Sequence, residues 1–238
     1  MSVTSSNLVT DDLNRILRAV PPSYRHEFGR LEAVVLHTGT VLQEADHEID
    51  HVYFPSRGLV SLLSLDTDGA SIEIGLIGSE GMVGVPVILG GISPHRAVVQ
   101  MSGAALRMPS RLIVEQFHRN EHVNSLLLRY TNALMVQIGQ HSICNCYHTI
   151  QERFCRWLLL ARDGARSNTL HLTHDLVARL IGTRRASVTV AAGLLQRSGL
   201  IRMARGQIHI LDDAGLESAA CECYAIIRDS LQPLAPTS

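Results

Sequence analysis

Hydrophobic spacing changes several times along this 238-residue chain, and each change marks a region. Leu13, Ile16, Leu17 and Val20 recur at helical intervals before Pro21-Pro22, which predicts a short helical lead-in over residues 8–30. From about residue 31 to 109 the pattern shortens into β-branched runs at 33–36, 52–54, 59–65, 71–77, 98–101 and 105–108. Turn residues separate several of them, including His37-Thr38-Gly39, Ser56-Arg57-Gly58 and the stretch 66–69. Strands this short and this closely spaced predict an antiparallel sandwich or barrel. Gly78, Gly81, Gly84, Gly90 and Gly91 crowd into one loop-rich stretch inside it.

From about residue 111 to 162 the period becomes helical. Leu127, Tyr130, Leu134, Ile138 and His141 form a seam that continues to Asn145 and His148. A long helix with such a seam pairs with a copy of itself, or packs the same stripe on its own domain. A second helix carrying Phe154, Trp157, Leu158 and Leu160 runs to Asp163-Gly164, and that glycine reads as the start of a linker.

The segment from Thr173 to Leu211 is the most specific in the chain. Thr173 suits an N-cap and Asp175 suits the positive first turn of a short helix with Leu176, Val177, Leu180 and Ile181 on its apolar stripe. Gly182 permits a sharp turn. In the next helix Val188, Ala191, Ala192 and Leu195 form a core face at i, i+3, i+4 and i+7. Arg185, Ala186, Thr189 and Val190 occupy a different face. A hairpin around Arg205-Gly206 follows. Helix, turn, helix and hairpin in this order predict a winged helix-turn-helix that reads DNA. Arg185 suits bidentate contact with a guanine edge. Arg184, Ser187 and Arg205 suit the phosphate backbone, Ala186, Val190 and the Thr189 methyl suit thymine methyls, and Thr173 is a further DNA-binding candidate.

Charge distribution supports this more than net charge does. The whole chain carries a formal charge of −1. Residues 150–211 hold ten arginines against three acids, whereas residues 1–149 hold ten against fourteen and residues 212–238 one against five. The basic segment coincides with the expected reading head. No apolar run reaches the roughly 18–20 residues of a membrane span. The N-terminal residues carry Asp11 and Asp12 and no signal-peptide pattern. Five cysteines form no secreted disulfide framework, so a reducing cytoplasm is the expected compartment.

With the phrase HVYFPSRGLVSLL (His51–Leu63), the long helix and the helix-turn-helix, the chain resembles the Crp/Fnr family of bacterial transcription regulators from about Val34 to Leu211. The resemblance implies an α+β protein. Residues 1–120 would form a cyclic-nucleotide-binding-like β-roll sensor with its lead-in. Residues 121–148 would form the dimerisation helix and residues 149–238 the winged helix-turn-helix. It implies a homodimer that places two recognition helices in successive major grooves of an inverted repeat, with RNA polymerase as the further partner of an activator. Arg185 matches the family's guanine-reading arginine. Ala186 replaces a usual glutamate and Val190 a second frequent arginine, so the target differs from the family's best-known half-site.

The resemblance also locates a ligand pocket. Cyclic-nucleotide binders of the family carry a Gly-Glu pair for the ribose and an Arg-Ser or Arg-Thr pair for the phosphate. The matching positions here are Gly84-Val85 and Arg96-Ala97, and Ile138-Gly139 stands where a Thr-Ser pair meets the base. Val85 cannot accept a hydroxyl proton. Cyclic AMP is therefore not the expected effector: the pocket is either vestigial or takes a more apolar small molecule, and no cofactor is expected. Arg96 also reads as a plain loop cation.

The cysteines begin at Cys144, so the family's N-terminal iron–sulfur ligands are missing. Cys144/Cys146 and Cys221/Cys223 are each two residues apart, a spacing that points to opposite sides of a helix. No metal is expected from either pair alone. His141, Cys144 and His148 share one helical face and are the better candidate ligands. No Ser/His/Asp phrase, Walker loop or HExxH motif is present, and the glycines at 78–91 lack the strand and helix of a dinucleotide fingerprint. An enzyme is not expected. The alternative is a regulatory nucleotide-binding module acting on a protein partner, which the basic segment disfavours.

Overall fold

The computed structural model describes residues 14–21 and 31–234. The lead-in retains one short helix, α1 (Arg15–Ala19), capped by Asn14. Leu13 and Pro22, and with them both ends of the expected 8–30 lead-in, lie outside the described residues. Asn14 also donates to the carbonyls of Pro55 and Gly81, which pins α1 to the sheet.

The N-terminal sheet contains β1 (Glu32–Leu36), β2 (Val41–Gln43), β3 (His51–Leu65), β4 (Ser71–Ile77) and β5 (His95–Pro109). Its order is β1-β5-β3-β4 with β2 also on β5, and every pairing is antiparallel. β3 and β5 run alongside each other from His51 opposite Pro109 to Ser64 opposite His95. The expected turn at Ser56-Arg57-Gly58 is instead a bulge inside one strand, and 98–101 and 105–108 are likewise parts of one strand. Gly58 takes φ 87, and a Cβ on the facing Gly103 would lie 2.1 Å from the Arg57 carbonyl oxygen. The two glycines let long strands bend without ending, which composition alone does not distinguish from a turn.

Three helices follow: α2 (Ser110–Arg119), α3 (Glu121–Tyr147) and α4 (Ile150–Ala165). The expected seam of α3 faces inward. Leu127, Tyr130 and His141 are buried in their own protomer, and the Tyr130 hydroxyl donates to the Met82 carbonyl at 3.2 Å. The outward row lies beside it: Leu128, Asn132, Met135, Gly139, Ser142 and Cys146 are all exposed and spaced alternately by four and three residues. Because α3 carries apolar residues on both faces, periodicity alone could not tell the stripes apart. Gln137 serves as an extra strand residue. Its amide accepts from Leu76 N at 2.9 Å and donates to Leu76 O at 3.2 Å, closing the free edge of β4.

α4 starts with a complete capping box, Thr149 with Glu152, and ends at Arg166 in the left-handed region. Gly164 is not a linker residue. It lies inside α4, pressed on Gly78, and its carbonyl accepts from Ser79 N at 2.8 Å. The C-terminal part comprises β6 (Thr169–His171), α5 (His174–Leu180), α6 (Arg185–Arg197), β7 (Ile201–Ala204), β8 (Gln207–Ile210), α7 (Asp213–Ser218) and α8 (Cys223–Ser230). One core runs without a break from Leu59, Leu76 and Met101 of the sheet through Phe154, Trp157 and Leu158 of α4 to Val177, Val188 and Leu195 of the head. Among the described residues no helix is long and apolar enough to cross a membrane.

A polar joint sits inside this core. Glu73 on β4 is 1% exposed and accepts from Trp157 Nε1 at 2.7 Å and from the Ser61 hydroxyl. Glu73→Ala strands both donors in a dry site. The expected loss is about 2–4 kcal/mol, read as a lower urea midpoint, and Glu73→Gln should cost distinctly less. An unshifted midpoint in the alanine variant would show that the joint contributes nothing.

Candidate functional site

The expected helix-turn-helix is formed by α5, a turn at Gly182 (φ 62) and α6. Thr173 caps α5, its hydroxyl accepting from Leu176 N at 3.2 Å. Val188, Ala191, Ala192 and Leu195 are buried, as the spacing predicts. Arg185, Ala186, Thr189 and Val190 are exposed together on the opposite side of α6, with Val190 65% exposed. Arg184 is the N-cap residue, exposed and without a side-chain capping bond, and Ser187 is partly exposed in the first turn. Arg185 lies at the first helical position, with its guanidinium 3.5 Å from Asp175 and both side chains well exposed.

The hairpin behind it is a three-stranded wing in the order β6-β8-β7. Arg205 and Gly206 form its two-residue tip, both with positive φ (47 and 76), as a primed hairpin turn requires. Arg205 is exposed there.

Two braces were not foreseen from the sequence. His174 Nδ1 lies 2.9 Å from the Thr189 hydroxyl, which itself donates to the Arg185 carbonyl. The hydroxyl proton is thus used inside the helix, so the imidazole is the donor to Thr189. The other ring nitrogen contacts Met203 of the wing, tying α5, α6 and β7 together. The second brace is Arg153. It donates to Asn145 at the end of α3, at 2.7 Å, and to the Ile181 carbonyl in the turn before α6. A histidine directly after an N-cap threonine and an arginine in an apolar helix carry no local sign of these roles.

Three of the ten arginines in the basic segment do not face outward. Arg153 and Arg156 are buried, and Arg162 is engaged by Asp163 and Asp213 at 2.7 and 2.9 Å. The outward cations of the basic segment are Arg166, Arg179, Arg184, Arg185, Arg197, Arg202 and Arg205.

A cavity of about 170 Å³ lies between the sheet and α3. Gly84, Val85 and Ile138 line it, beside Met82, Leu134 and Met135. No arginine, lysine, aspartate or glutamate is among its lining residues. Arg96 and Ala97 are elsewhere on β5. Ala97 is fully buried, and Arg96 donates to Glu44 at 2.6 Å. That contact holds the Glu44 carboxyl below its ordinary range.

The candidate ligand trio His141, Cys144 and His148 is divided. His141 Nδ1 donates to the Gln137 carbonyl at 2.9 Å, and Nε2 accepts from Arg156 at 3.2 Å. Cys144 and His148 instead meet Cys221 and Cys223. The opposite-sides argument does not apply to this last pair, because Cys221 precedes the first turn of α8 and only Cys223 is helical. Cys146 is exposed on the outward row of α3. The Cys221 thiol, assisted by the Arg156 guanidinium, draws the Cys144 thiol below the ordinary thiol range.

Comparison with known proteins agrees with this architecture. Residues 152–219 match the Crp-like helix-turn-helix domain family. Transcriptional regulator SdrP of Thermus thermophilus is 24% identical over 188 residues, covering 72% of this chain and 84% of that protein. The solved structure of FixK2 from Bradyrhizobium japonicum superposes with a TM-score of 0.69 at 16% identity, over 81% of this chain and 98% of that one. A Crp/Fnr-family transcriptional regulator from Thermus thermophilus superposes at 0.64 with 22% identity, over 79% and 98%. Residues 152–219 thus carry a Crp-like helix-turn-helix domain, and the chain as a whole shares its fold with transcription regulators of the Crp/Fnr family.

Proposed function

We propose that the protein is a homodimeric regulator that reads an inverted repeat in double-stranded DNA. The carrying observation is the α6 face, where Arg185, Ala186, Thr189 and Val190 point outward together from a helix anchored through Val188, Ala191, Ala192 and Leu195. Arg185 reads a guanine edge after exchanging Asp175 for DNA. Ala186, Val190 and the Thr189 methyl meet thymine methyls, the Thr189 hydroxyl being already engaged. Thr173, Arg184, Ser187 and, on the wing, Arg205 hold phosphates. Sites selected from random duplex DNA should be inverted repeats with half-site centres about 10 bp apart.

The outward row of α3 supplies the dimer contact. Leu128, Met135 and Ile143 leave apolar surface exposed along it, and at Gly139 the backbone lies bare for close approach of a second helix. The double variant Leu128→Glu, Met135→Glu should halve the mass seen by light scattering while leaving the circular dichroism spectrum unchanged. A persisting dimer would move the interface off α3.

Base reading and phosphate holding are separable by salt. Arg185→Ala should cost about 1–3 kcal/mol on the selected site and relax preference at one base pair per half-site. Arg205→Ala should weaken binding to every duplex alike and lower the salt slope by about one per protomer. Equal loss on matched and scrambled duplexes for Arg185→Ala would remove it as the base reader.

The cavity favours an apolar effector over cyclic AMP, since Val85 and Ile138 line it and Arg96 is held by Glu44. Titration calorimetry should show weak or no heat with cyclic AMP, and operator affinity should not require it. Tight binding accompanied by a rise in operator affinity would overturn this reading of the pocket.

A further inference from the structure

We propose that Cys144, His148, Cys221 and Cys223 bind one zinc ion, in a Cys3His site that fastens the C-terminal end of α3 to the start of α8. The four ligand atoms all lie within 4.8 Å of one another. Cys144 Sγ is 3.5 Å from Cys221 Sγ, and Cys223 Sγ is 3.6 Å from His148 Nδ1. A tetrahedral zinc with bonds of about 2.3 Å to sulfur and 2.0–2.1 Å to nitrogen sets ligand–ligand edges of roughly 3.5–3.8 Å. These two separations fall at that edge length, and all the others lie within 4.8 Å. They are also far longer than the roughly 2.05 Å of a disulfide, so these are reduced thiols with room for an ion between them.

The surroundings complete the chemistry of such a site. His148 turns Nδ1 to the cysteines, while Nε2 lies 3.2 Å from the Glu222 carboxylate. A metal-bound imidazole is ordinarily oriented by a carboxylate on its far nitrogen in this way. Cys144, Cys221 and Cys223 are all buried and form a cluster of their own. Three thiolates and a neutral imidazole around a divalent ion leave one net negative charge. Arg156 answers that charge: it is 1% exposed, its field acts on Cys144 and Cys223, and its Nε has no hydrogen-bond partner. Only the His141 ring accepts a hydrogen bond from this buried guanidinium, and an anionic metal centre beside it supplies a further charge partner. Sulfur and imidazole donors favour zinc over magnesium or calcium, which take oxygen.

The site closes a long loop. Cys144 and Cys221 are 77 residues apart, and everything between them is α4, the helix-turn-helix, the wing and α7. Metal binding therefore fixes the base of the reading head to the long helix, and the binding free energy adds to the stability of that arrangement.

The test uses the full chain, purified under reducing conditions with added zinc sulfate and then passed through gel filtration. Mass spectrometry of metals should find about one zinc per chain, and cobalt(II) in its place should give the strong visible absorption of a tetrahedral thiolate site. Cys144→Ser and Cys223→Ser should each lower zinc affinity by at least about tenfold, whereas Cys146→Ser, at an exposed cysteine outside the cluster, should keep the wild-type content. Wild-type protein gives a readout that does not depend on variants folding: a strong chelator should lower the melting temperature by several degrees, and zinc should restore it. A folded wild-type chain that holds no zinc after loading would overturn the proposal. So would a cobalt spectrum unchanged by Cys223→Ser, or a chain isolated metal-free with a Cys144–Cys221 disulfide, two hydrogens lighter.

Discussion

One buried carboxyl group holds the parts of this molecule in their relative positions. Glu73 stands on β4, receives the Trp157 indole from α4 and the Ser61 hydroxyl from β3, and has the His141 ring of α3 at 3.8 Å. Each of these partners is buried, so none can turn to water instead. The indole is the largest fully buried side chain of the core that joins sheet and head. Apolar packing around it tolerates many arrangements, but a hydrogen bond from one ring nitrogen to one oxygen tolerates few. The sheet and α4 are thereby held in one relative position, and the reading head is carried on α4.

Much of the head could be read from the chain because its signals are local. An N-cap, an apolar stripe, a glycine and a second stripe all fall within about twenty-five residues, and each sets the conformation of its immediate neighbours. The long helix was harder. Leu127, Tyr130 and His141 differ from Leu128, Met135 and Ser142 by one step or a few along the same helix, and both rows recur at nearly heptad spacing. Which row faces the sheet is decided by groups distant in sequence, such as the Met82 carbonyl that receives the Tyr130 hydroxyl. The β3 bulge misled for a related reason. Gly58 has the chemistry of a turn, and only the facing Gly103 shows that the strand continues.

The arginines and cysteines show the same limit from another side. Counting charge by segment assigned Arg153 and Arg156 to the DNA-facing surface, although an arginine in an apolar helix turns inward when a partner waits there. The cysteines read as two weak pairs because spacing is informative only within one element. Cys144 on α3 and Cys221 before α8 meet through the return path of the whole head, and no window on the sequence contains both. The pocket was accessible in part: Gly84, Val85 and Ile138 line one cavity, whereas the engagement of Arg96 by Glu44 depends on how β2 and its loop lie against β5.

The Arg153 strap makes the coupling between long helix and reading head stiff. One guanidinium joins the last turn of α3 to the turn that aims α6. Small rocking of the head strains both bonds at once, so its restoring force rises steeply over fractions of an ångström. Larger rotation must first release a buried cation from its acceptors, and the head then has a threshold to cross. The junction therefore ties any twist of the long helix to the turn that aims the recognition helix through a single buried side chain.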